Sequence, residues 1–263
     1  MWGALRSRSQ CQVVALVALL AAVVGAPREA AAQSCTELGA KEIHDRVDDI
    51  YRGTSSFRKA TMKVVTAHWT RTLKLEAWSK GTKRSLVRIV APAKEKGTAT
   101  LMVDKNVWNY LPKVRKTIKI PSSMMTSSWM GSHVTNDDLV KESRMSEDYT
   151  FQKSFTGPRG GRKIIEITCI PKPKAAIVWG KVLVEVDAAS CLPTRQLFYG
   201  ENAKLARTML FEEPKTVGRR TVPVFMKVTV TDKPNEVTEL RQDDLSFDIP
   251  LKDDFFSLHN LER

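Results

Sequence analysis

The chain has 263 residues, of which 42% are hydrophobic, and its 42 Lys and Arg against 29 Asp and Glu give a formal net charge of +13. This hydrophobic content excludes a chain that is disordered throughout, and four cysteines are too few for a disulfide-stapled scaffold. The excess of positive charge favours an anionic partner but does not say which one.

The first 32 residues have the pattern of an export signal. Arg6 and Arg8 precede an apolar run over residues 13–24, and Ala30-Ala31-Ala32 supplies a small-residue cleavage site. We therefore expect residues 1–32 to be a signal peptide and residues 33–263 to form one domain in the periplasm. A lipid anchor on Cys35 is the less favoured alternative, because Gln33 is a poor residue so close to a lipidated cysteine.

Three cysteines remain after the predicted cleavage: Cys35, Cys169 and Cys191. The predicted strands separate Cys169 from Cys191 by ten strand residues, or about 30 Å, whereas a disulfide needs Cα atoms within about 7 Å. We therefore expect no bridge between these two. A disulfide from Cys35 to either of them, and buried free thiols, both stay open.

One helix is predicted at the start of the exported domain. Ser34 and Glu37 have the spacing of a capping box, and Gly53 is placed to end the helix. A single apolar face lies between them, formed by Ile43, Val47, Ile50 and Tyr51.

From Thr61 onward the apolar residues recur with a period of two, which predicts about twelve strands. The first two lie near Met62 and near Leu73, and the later ones cover residues 84–90, 98–103, 107–111, 117–120, 149–156, 163–170, 176–187, 194–199, 204–212, 221–231 and 236–247. Short turns such as Lys80-Gly81 and Val217-Gly218 join them. This indicates one antiparallel meander, whose sheet is so large that it must curl or close.

The alternation fails between residues 121 and 140, where a short helical segment is predicted. This segment carries a soft and adaptable apolar surface, formed by Met124, Met125, Trp129 and Met130. It is interpreted either as a plug that packs as core or as a lid over an apolar ligand cavity. The two interpretations are compatible, because a lid is a plug that moves.

No catalytic or metal motif is found. None of the four histidines (His44, His68, His133 and His259) belongs to a metal-binding pattern, and no CxxC occurs. The glycine-rich run 157–163 lacks the ending of a phosphate-binding loop and is interpreted as a hairpin turn. Asp137-Asp138 and Asp243-Asp244 could serve acid–base chemistry, but they fit helix caps or solvated loops better. We therefore expect no catalytic residue, no metal and no cofactor, and a hydrolase with a dispersed triad is a minor hypothesis.

A cluster of basic residues precedes the methionine-rich segment. Lys113, Arg115, Lys116 and Lys119 lie in one strand–turn–strand unit. They are interpreted as a solvated surface, or as a contact with an anionic membrane or an acidic partner face. Nucleic acid is not expected as a partner of an exported protein.

These stretches carry a family resemblance. Residues 111–116 (LPKVRK), Ile120-Pro121, residues 129–132 (WMGS) and residues 135–139 (TNDDL) resemble the outer-membrane lipoprotein-sorting family, the LolA-like group of the LolA/LolB superfamily. The similarity covers roughly residues 61–258. At His133-Val134 the sequence departs from the acidic–aromatic pair of the family pattern.

The resemblance implies a mainly β fold, a single large curved antiparallel sheet or incomplete barrel, with an N-terminal helix and short helices covering its concave side. Its interior would hold acyl chains, with Met124, Met125, Trp129 and Met130 as the lid. The candidate lining residues are Leu73, Leu75, Trp78, Leu101, Val103, Trp108, Tyr110, Ile118 and Ile120. Which strand face points inward stays open, because a shift of one residue exchanges the two faces.

The function implied is that of a monomeric periplasmic carrier or chaperone, not an enzyme. It would bind acyl chains of lipoproteins or lipids and deliver them to the outer membrane without covalent chemistry. An inner-membrane transporter and an outer-membrane acceptor would be its partners. The alternative hypothesis is an envelope regulatory or assembly module that keeps this fold and binds a protein partner.

Overall fold

The computed structural model describes residues 34–141, 145–173 and 178–263. The predicted signal peptide, residues 1–32, lies outside the described residues, as do the first two residues of the strand predicted over 176–187. Among the described helices, none combines the length and apolarity that crossing a membrane requires.

The described residues form four short helices and thirteen strands. The helices are α1 (Ala40–Asp49), α2 (Asn136–Lys141), α3 (Met145–Asp148) and α4 (Leu258–Leu261), and 3₁₀ turns cover Ser122–Met124, Trp129–Gly131 and Asp253–Phe255. The strands are β1 (Ser55–Val65), β2 (Thr70–Lys80), β3 (Arg84–Ala91), β4 (Ala99–Val103), β5 (Asn106–Leu111), β6 (Lys116–Lys119), β7 (Tyr149–Arg159), β8 (Arg162–Pro171), β9 (Lys181–Asp187), β10 (Pro193–Tyr199), β11 (Leu205–Val217), β12 (Arg220–Val230) and β13 (Lys233–Phe247).

All thirteen strands belong to one antiparallel sheet that is not closed into a barrel. Strands β1 to β6 follow one another to one edge, β7 forms the opposite edge, and β7 to β13 return until β13 pairs with β1. The expected mainly β fold with an N-terminal helix is therefore confirmed. Because β6 and β7 lie at opposite edges, the chain between them crosses from one edge to the other, and we call its described residues, 120–141 and 145–148, the crossing segment.

The sheet has an inner and an outer face, which the register defines. Residues paired across neighbouring strands share a face, so the pairs Ala60–Leu75, Met62–Leu240 and Met226–Leu240 put these five side chains on the same side. We call this the inner face, because α1 and the crossing segment pack on it. Over β7 to β11 the inner core joins Ile43 and Val47 of α1 to sheet residues that include Ile165, Ile167 and Val182.

The outer face of β2 to β5 carries a second apolar core. Leu86 and Leu101, both almost fully buried, pack there with Phe256 and Leu261 of the C-terminal segment. Lys80 fixes this segment by donating to the Leu251 carbonyl at 2.7 Å and to Asp253 at 2.6 Å. This part of the sheet is therefore apolar on both faces.

The helix begins later than the sequence predicts, so the capping box at Ser34 and Glu37 is wrong. Residues 35–37 form a turn, and α1 starts after Gly39, whose N–H donates to the Glu42 carboxylate at 2.7 Å. Cys35, which lies in that turn, is 1% exposed and disulfide-bonded to Cys191. At the other end Gly53 has a φ of +58°, as its predicted role as a helix stop requires.

The cysteines settle one open alternative. Cys35 and Cys191 form a disulfide with a Cα–Cα distance of 5.4 Å, and Cys169 is a buried free thiol whose pKa is raised by burial. The expectation that Cys169 and Cys191 are unbridged is confirmed. A lipid thioether would need the sulfur atom that the disulfide occupies, so the bonded form of Cys35 has no place for a lipid anchor.

Candidate functional site

A cavity of about 160 Å³ lies between the inner face of the sheet and the crossing segment. We call it the inner cavity. Four methionines from four different strands contribute to its wall, together with the indole of the crossing segment: Met62, Met102, Met209, Met226 and Trp129. Methionine side chains are unbranched and polarizable, so this wall can adapt to a flexible apolar ligand.

A smaller cavity of about 60 Å³ lies beside it, between α1 and strands β9 to β11. Tyr51, Asp138 and Met209 line both cavities. The space under α1 and the space under the crossing segment are therefore neighbours with a shared wall.

Trp129 ties the crossing segment to the sheet. Its side chain is 4% exposed, and its Nε1–H donates to Thr100 Oγ1 at 3.0 Å. The backbone N–H of Trp129 donates to the Val134 carbonyl at 2.7 Å, and Ser128 and Thr135 form an isolated β-bridge. Residues 128–135 are thus a small closed loop that inserts one large aromatic side chain against the sheet.

Asp138 makes a second tie, with Arg207 of β11. Arg207 is 2% exposed and donates to both carboxylate oxygens of Asp138, at 2.6 and 2.8 Å. Its guanidinium lies over the rings of Phe198 and Trp179, 4.1 and 4.8 Å from their centroids. Although burial alone would raise the pKa of Asp138, the Arg207 charge and hydrogen bonds hold that pKa below its ordinary value.

Asp138 also caps α2. Thr135 donates its N–H and its hydroxyl to Asp138 Oδ2 at 2.7 and 2.8 Å, and Asp138 N–H donates back to Thr135 Oγ1 at 3.2 Å. This is the reciprocal geometry of a capping box. The predicted capping role is therefore confirmed for Asp138, whereas the alternative of a solvated loop is wrong, because Asp137 and Asp138 both lie in a largely buried setting.

His133 makes a third tie, at the position where the sequence departs from the family pattern. Thr238 Oγ1 accepts the His133 backbone N–H at 3.0 Å and lies 2.8 Å from Nδ1, while Nε2 lies 3.0 Å from Glu236. Because the Glu236 carboxylate can only accept, we assign Nε2–H as its donor, and in the neutral tautomer that this fixes Nδ1 accepts from the Thr238 hydroxyl. The His133 carbonyl also accepts from Arg207 at 3.2 Å.

The four predicted lid residues lie at different depths. Trp129 is buried and Met130 packs against the inner core formed by Met62 and its neighbours. Met125 packs with Met102, Val107 and Ile120, whereas Met124 is 48% exposed.

The predicted lining residues divide between the two faces. Leu73, Leu75 and Ile118 lie on the inner face, and Ile120 packs with inner-face residues. Of the nine predicted lining residues, Leu75 alone lines the inner cavity. The inner-cavity assignment is wrong for five residues on the outer face: Trp78, Leu101, Val103, Trp108 and Tyr110. They are apolar because the C-terminal segment covers them, which the strand alternation could not reveal.

Sequence reasoning also missed part of the site. Met209, Met226 and Leu240 line the cavity from strands far along the chain, and Arg58 and Gln242 add polar groups. The strand positions of the three apolar residues were predicted correctly, but only the pairing of β13 with β1 brings them to the same cavity as Leu75.

The predicted basic contact residues are all exposed on one hairpin at the edge of the sheet. Lys113 and Arg115 lie in the turn between β5 and β6, and Lys116 and Lys119 are the first and last residues of β6. Val114 at the tip of this turn is 58% exposed. Close along the chain, Ile118 on the inner face and Met124 in the crossing segment are 44% and 48% exposed.

Metal chemistry finds no support in the part of the chain that the structure describes. No group of three or more His, Cys, Asp or Glu side chains is arranged there to hold a metal ion. The chemistry that the inner cavity offers is apolar contact with a few charged and amide groups at its wall.

The comparisons with known proteins agree with this fold. A family model described as "Uncharacterized protein" matches residues 81–263, which is more than half of the chain, so the chain belongs to that family. None of the curated proteins matches it.

Three solved structures share the architecture. A domain described as an outer membrane lipoprotein-sorting protein domain from Vibrio parahaemolyticus has a TM-score of 0.75 at 23% identity, over 85% of this chain and 98% of that chain. A DUF1329 family protein from Desulfovibrio piger has a TM-score of 0.78 at 20% identity, over 84% and 97%. A LolA superfamily protein from Nitrosomonas europaea has a TM-score of 0.72 at 22% identity, over 85% and 99%. This chain thus has the fold of these three structures, two of which are described as a lipoprotein-sorting domain and a LolA superfamily protein, in agreement with the resemblance seen in the sequence.

Proposed function

We propose that the protein is a periplasmic carrier that binds acyl chains of a lipoprotein or lipid in the inner cavity and moves them toward the outer membrane. The observation that carries this proposal is the methionine wall of that cavity under a roof held by a few polar ties. No covalent step is needed, because acyl transfer between binding sites requires only burial and release of apolar surface.

The size of the cavity supports a moving roof. Its volume of about 160 Å³ is below the roughly 300–1,000 Å³ of drug-sized ligand pockets and close to that of an engineered cavity that takes up benzene, about 150 Å³. A full acyl chain therefore enters only when the crossing segment moves outward. In this interpretation the described state is the closed, unloaded carrier, and the plug and the lid are the same segment.

The energies are compatible with such an opening. Each buried methylene stabilises a complex by about 0.8 kcal/mol, so roughly ten methylenes contribute about 8 kcal/mol. Breaking a buried ion pair such as Arg207–Asp138 costs about 3–5 kcal/mol. Binding of one acyl chain can therefore offset the loss of this tie and of the single Trp129–Thr100 hydrogen bond.

The basic hairpin formed by residues 111–119 gives the carrier a surface for docking on an anionic membrane. Its cations attract acidic head groups, and the exposed Val114 at its tip can enter the interface between head groups and acyl chains. An inner-membrane transporter and an outer-membrane acceptor would be its partners at the two ends of the route, with the carrier as a monomer between them.

The test is native mass spectrometry of the protein purified gently from its own envelope fraction, followed by organic extraction. A stoichiometric lipid or lipopeptide is expected. Met226→Trp, which fills the cavity, should abolish the bound lipid, whereas Glu212→Trp, at an exposed outer-face position of the neighbouring β11, should not.

The same experiment separates the carrier from a regulatory module. A protein that is empty, and that also fails to take up a fluorescent fatty acid, contradicts the carrier proposal. Binding of a protein partner by such an empty form would support the alternative module with the same fold.

A further inference from the structure

The wall of the inner cavity changes from apolar to cationic along β1. Arg58, Ala60 and Met62 all line the cavity, and the register puts them on the inner face in succession. Arg58 lies opposite Ala77 of β2, whereas Met62 lies opposite Leu73. Met62 follows Arg58 by four positions in the strand, which is about 13 Å at the rise of an extended chain.

A second arginine lines the same cavity from the connection between α1 and β1. Arg52 is 9% exposed, and its backbone N–H donates to the Asp49 carbonyl at 3.0 Å, which fixes the chain just after the helix. A guanidinium has five N–H donors, so Arg52 and Arg58 can each keep a partner within the protein and still donate to a bound anion.

Gln242 adds a third polar group to this wall. It pairs with Ala60 across β13 and β1 and so lies on the inner face. Its Oε1 atom is buried and has no hydrogen-bond partner within the described ranges. Because buried polar atoms are almost always satisfied and an amide oxygen can only accept, a hydrogen-bond donor completes this atom, either a water molecule or a hydroxyl group of a ligand.

Negative charge on the described part of the wall is limited to one group that is already neutralised. Asp138 is the only carboxylate among the lining residues that the structure describes, and both of its oxygens accept from Arg207. Three of the described lining residues are arginines, Arg52, Arg58 and Arg84, and Arg84 is paired with Asp253 at 3.3 Å. A purely apolar chain gains nothing from such cationic groups, whereas an anionic head group can accept hydrogen bonds from them.

We infer that the inner cavity takes a single-chain amphiphile with an anionic head group, a carboxylate or a phosphate, held by Arg52 and Arg58 while its acyl chain lies along the methionine wall. This inference rests on the proposed function and names the class of cargo. The shared chemistry is an anionic oxygen next to the first methylenes of a chain, which a fatty acid and a lysophospholipid both provide.

The test compares three ligands by isothermal titration calorimetry on the delipidated full exported domain: palmitate, 1-palmitoyl lysophosphatidic acid and the neutral 1-monopalmitoylglycerol. All three have the same acyl chain, so the affinity difference reports the head group. Since hydrogen bonds to charged groups are the strong ones, the anionic ligands should bind about ten- to a hundredfold more tightly than the neutral one. Preference for palmitate alone identifies a carboxylate cargo, and preference for the lysophosphatidic acid alone identifies a phosphate cargo.

Variants locate the effect. Arg58→Gln should reduce the affinity for the anionic ligands to that for the neutral one, and Arg58→Lys should keep most of the preference. The matched control is Lys63→Gln, which removes one positive charge from the exposed outer face of the same strand and should change neither affinity. If Arg58→Gln does not fold, Arg52→Gln takes its place, and the comparison of ligands on the unmodified protein decides in either case.

The failures are distinguishable. Equal affinities for the three ligands on the unmodified protein overturn the anionic head-group site and leave the carrier intact. Binding of none of them contradicts the carrier as well.

Discussion

Arg207 on β11 donates to both carboxylate oxygens of Asp138 on α2, at 2.6 and 2.8 Å, and so joins the sheet to the segment that roofs its inner cavity. Strand β11 lies deep in the sheet, eight strands from the β6 edge where the crossing segment starts, when counted through β1 and β13. Because Asp138 also caps α2 through Thr135, one carboxylate shapes the end of the crossing segment and anchors it. We call this pair the latch, because in the proposed carrier it would have to break before the crossing segment moves outward.

Asp138→Asn should release this latch. Leaving Arg207 buried without its partner charge costs about 3–5 kcal/mol. We expect a lower urea midpoint and faster hydrogen exchange over residues 120–141. The control is Asp254→Asn, which removes an exposed carboxylate and should change the free energy of unfolding by no more than about 0.5 kcal/mol. Unchanged exchange in the crossing segment would show that the pair is not what holds it.

Acid should act on the same latch. Because the pKa of Asp138 is lower in the folded protein than in the unfolded chain, its contribution to stability is present above the unfolded value of about 3.9 and is lost as the pH falls through and below it. Lowering the pH through that range should therefore raise the hydrogen-exchange rate of the crossing segment in the unmodified protein. The same change in pH should raise it less in the Asp138→Asn variant.

The strands were predictable and the faces were not. Leu75 and Trp78 lie in the same strand on opposite faces, so only one of them can face the cavity. Both are apolar, because the C-terminal segment buries Trp78 on the outer face, and the sequence pattern therefore does not show which face is the inner one. Arg207 gave no signal either, since an arginine inside an alternating strand resembles a surface residue. Its burial follows from Asp138, Phe198 and Trp179, which reach it from other parts of the chain.

The disulfide between Cys35 and Cys191 should be present in the exported protein and should stabilise it. It joins residues 156 positions apart, and loss of a native disulfide typically costs about 2–5 kcal/mol. The double variant Cys35→Ser, Cys191→Ser should lower the free energy of unfolding by that amount, with Cys169→Ala as a control that leaves the bridge intact. Peptide mapping without reductant should join the Cys35 and Cys191 peptides, and an acylated Cys35 peptide would contradict the bridge.

His44 should make the domain less stable in mild acid. The side chain is 1% exposed, packs on Phe151 with a ring distance of 4.4 Å, and burial lowers its pKa to about 4. Since an unfolded histidine titrates near 6.5, stability is complete above pH 6.5 and falls as the pH drops toward 4, by about 1.4 kcal/mol per unit and about 3 kcal/mol in all.

Urea midpoints measured across that range check the titration of His44. His44→Gln should flatten the slope between pH 6.5 and about 4, whereas His68→Gln, at an exposed position between β1 and β2, should leave it unchanged. An equally steep slope in His44→Gln would assign the acid response to other groups.

The basic hairpin should bind anionic vesicles. Each Lys or Arg near an acidic membrane contributes about 1 kcal/mol, so replacing Lys113, Arg115 and Lys116 by Gln should weaken binding roughly a hundredfold. Sedimentation with phosphatidylglycerol vesicles at low and high salt measures this. The control replaces three exposed cations outside the hairpin by Gln: Lys63, Lys74 and Arg219. An equal loss of vesicle binding in the two variants would show that net charge, and not the hairpin, determines the binding.

Trp129 should set how fast the roof opens. Trp129→Phe removes the 3.0 Å hydrogen bond to Thr100 and keeps most of the ring, so we expect a loss of about 1 kcal/mol in stability. Trp129→Ala should cost about 3–5 kcal/mol and enlarge the inner cavity. If the crossing segment is a lid, both variants should take up a fluorescent fatty acid faster in stopped-flow mixing, in the same order as their loss of stability.

Trp108→Phe, on the outer face of β5, is the matched control, because substitution of a tryptophan that does not touch the cavity should leave the uptake rate unchanged. Equal uptake rates in all four proteins would mean that the acyl chain reaches the cavity by a route that does not displace Trp129.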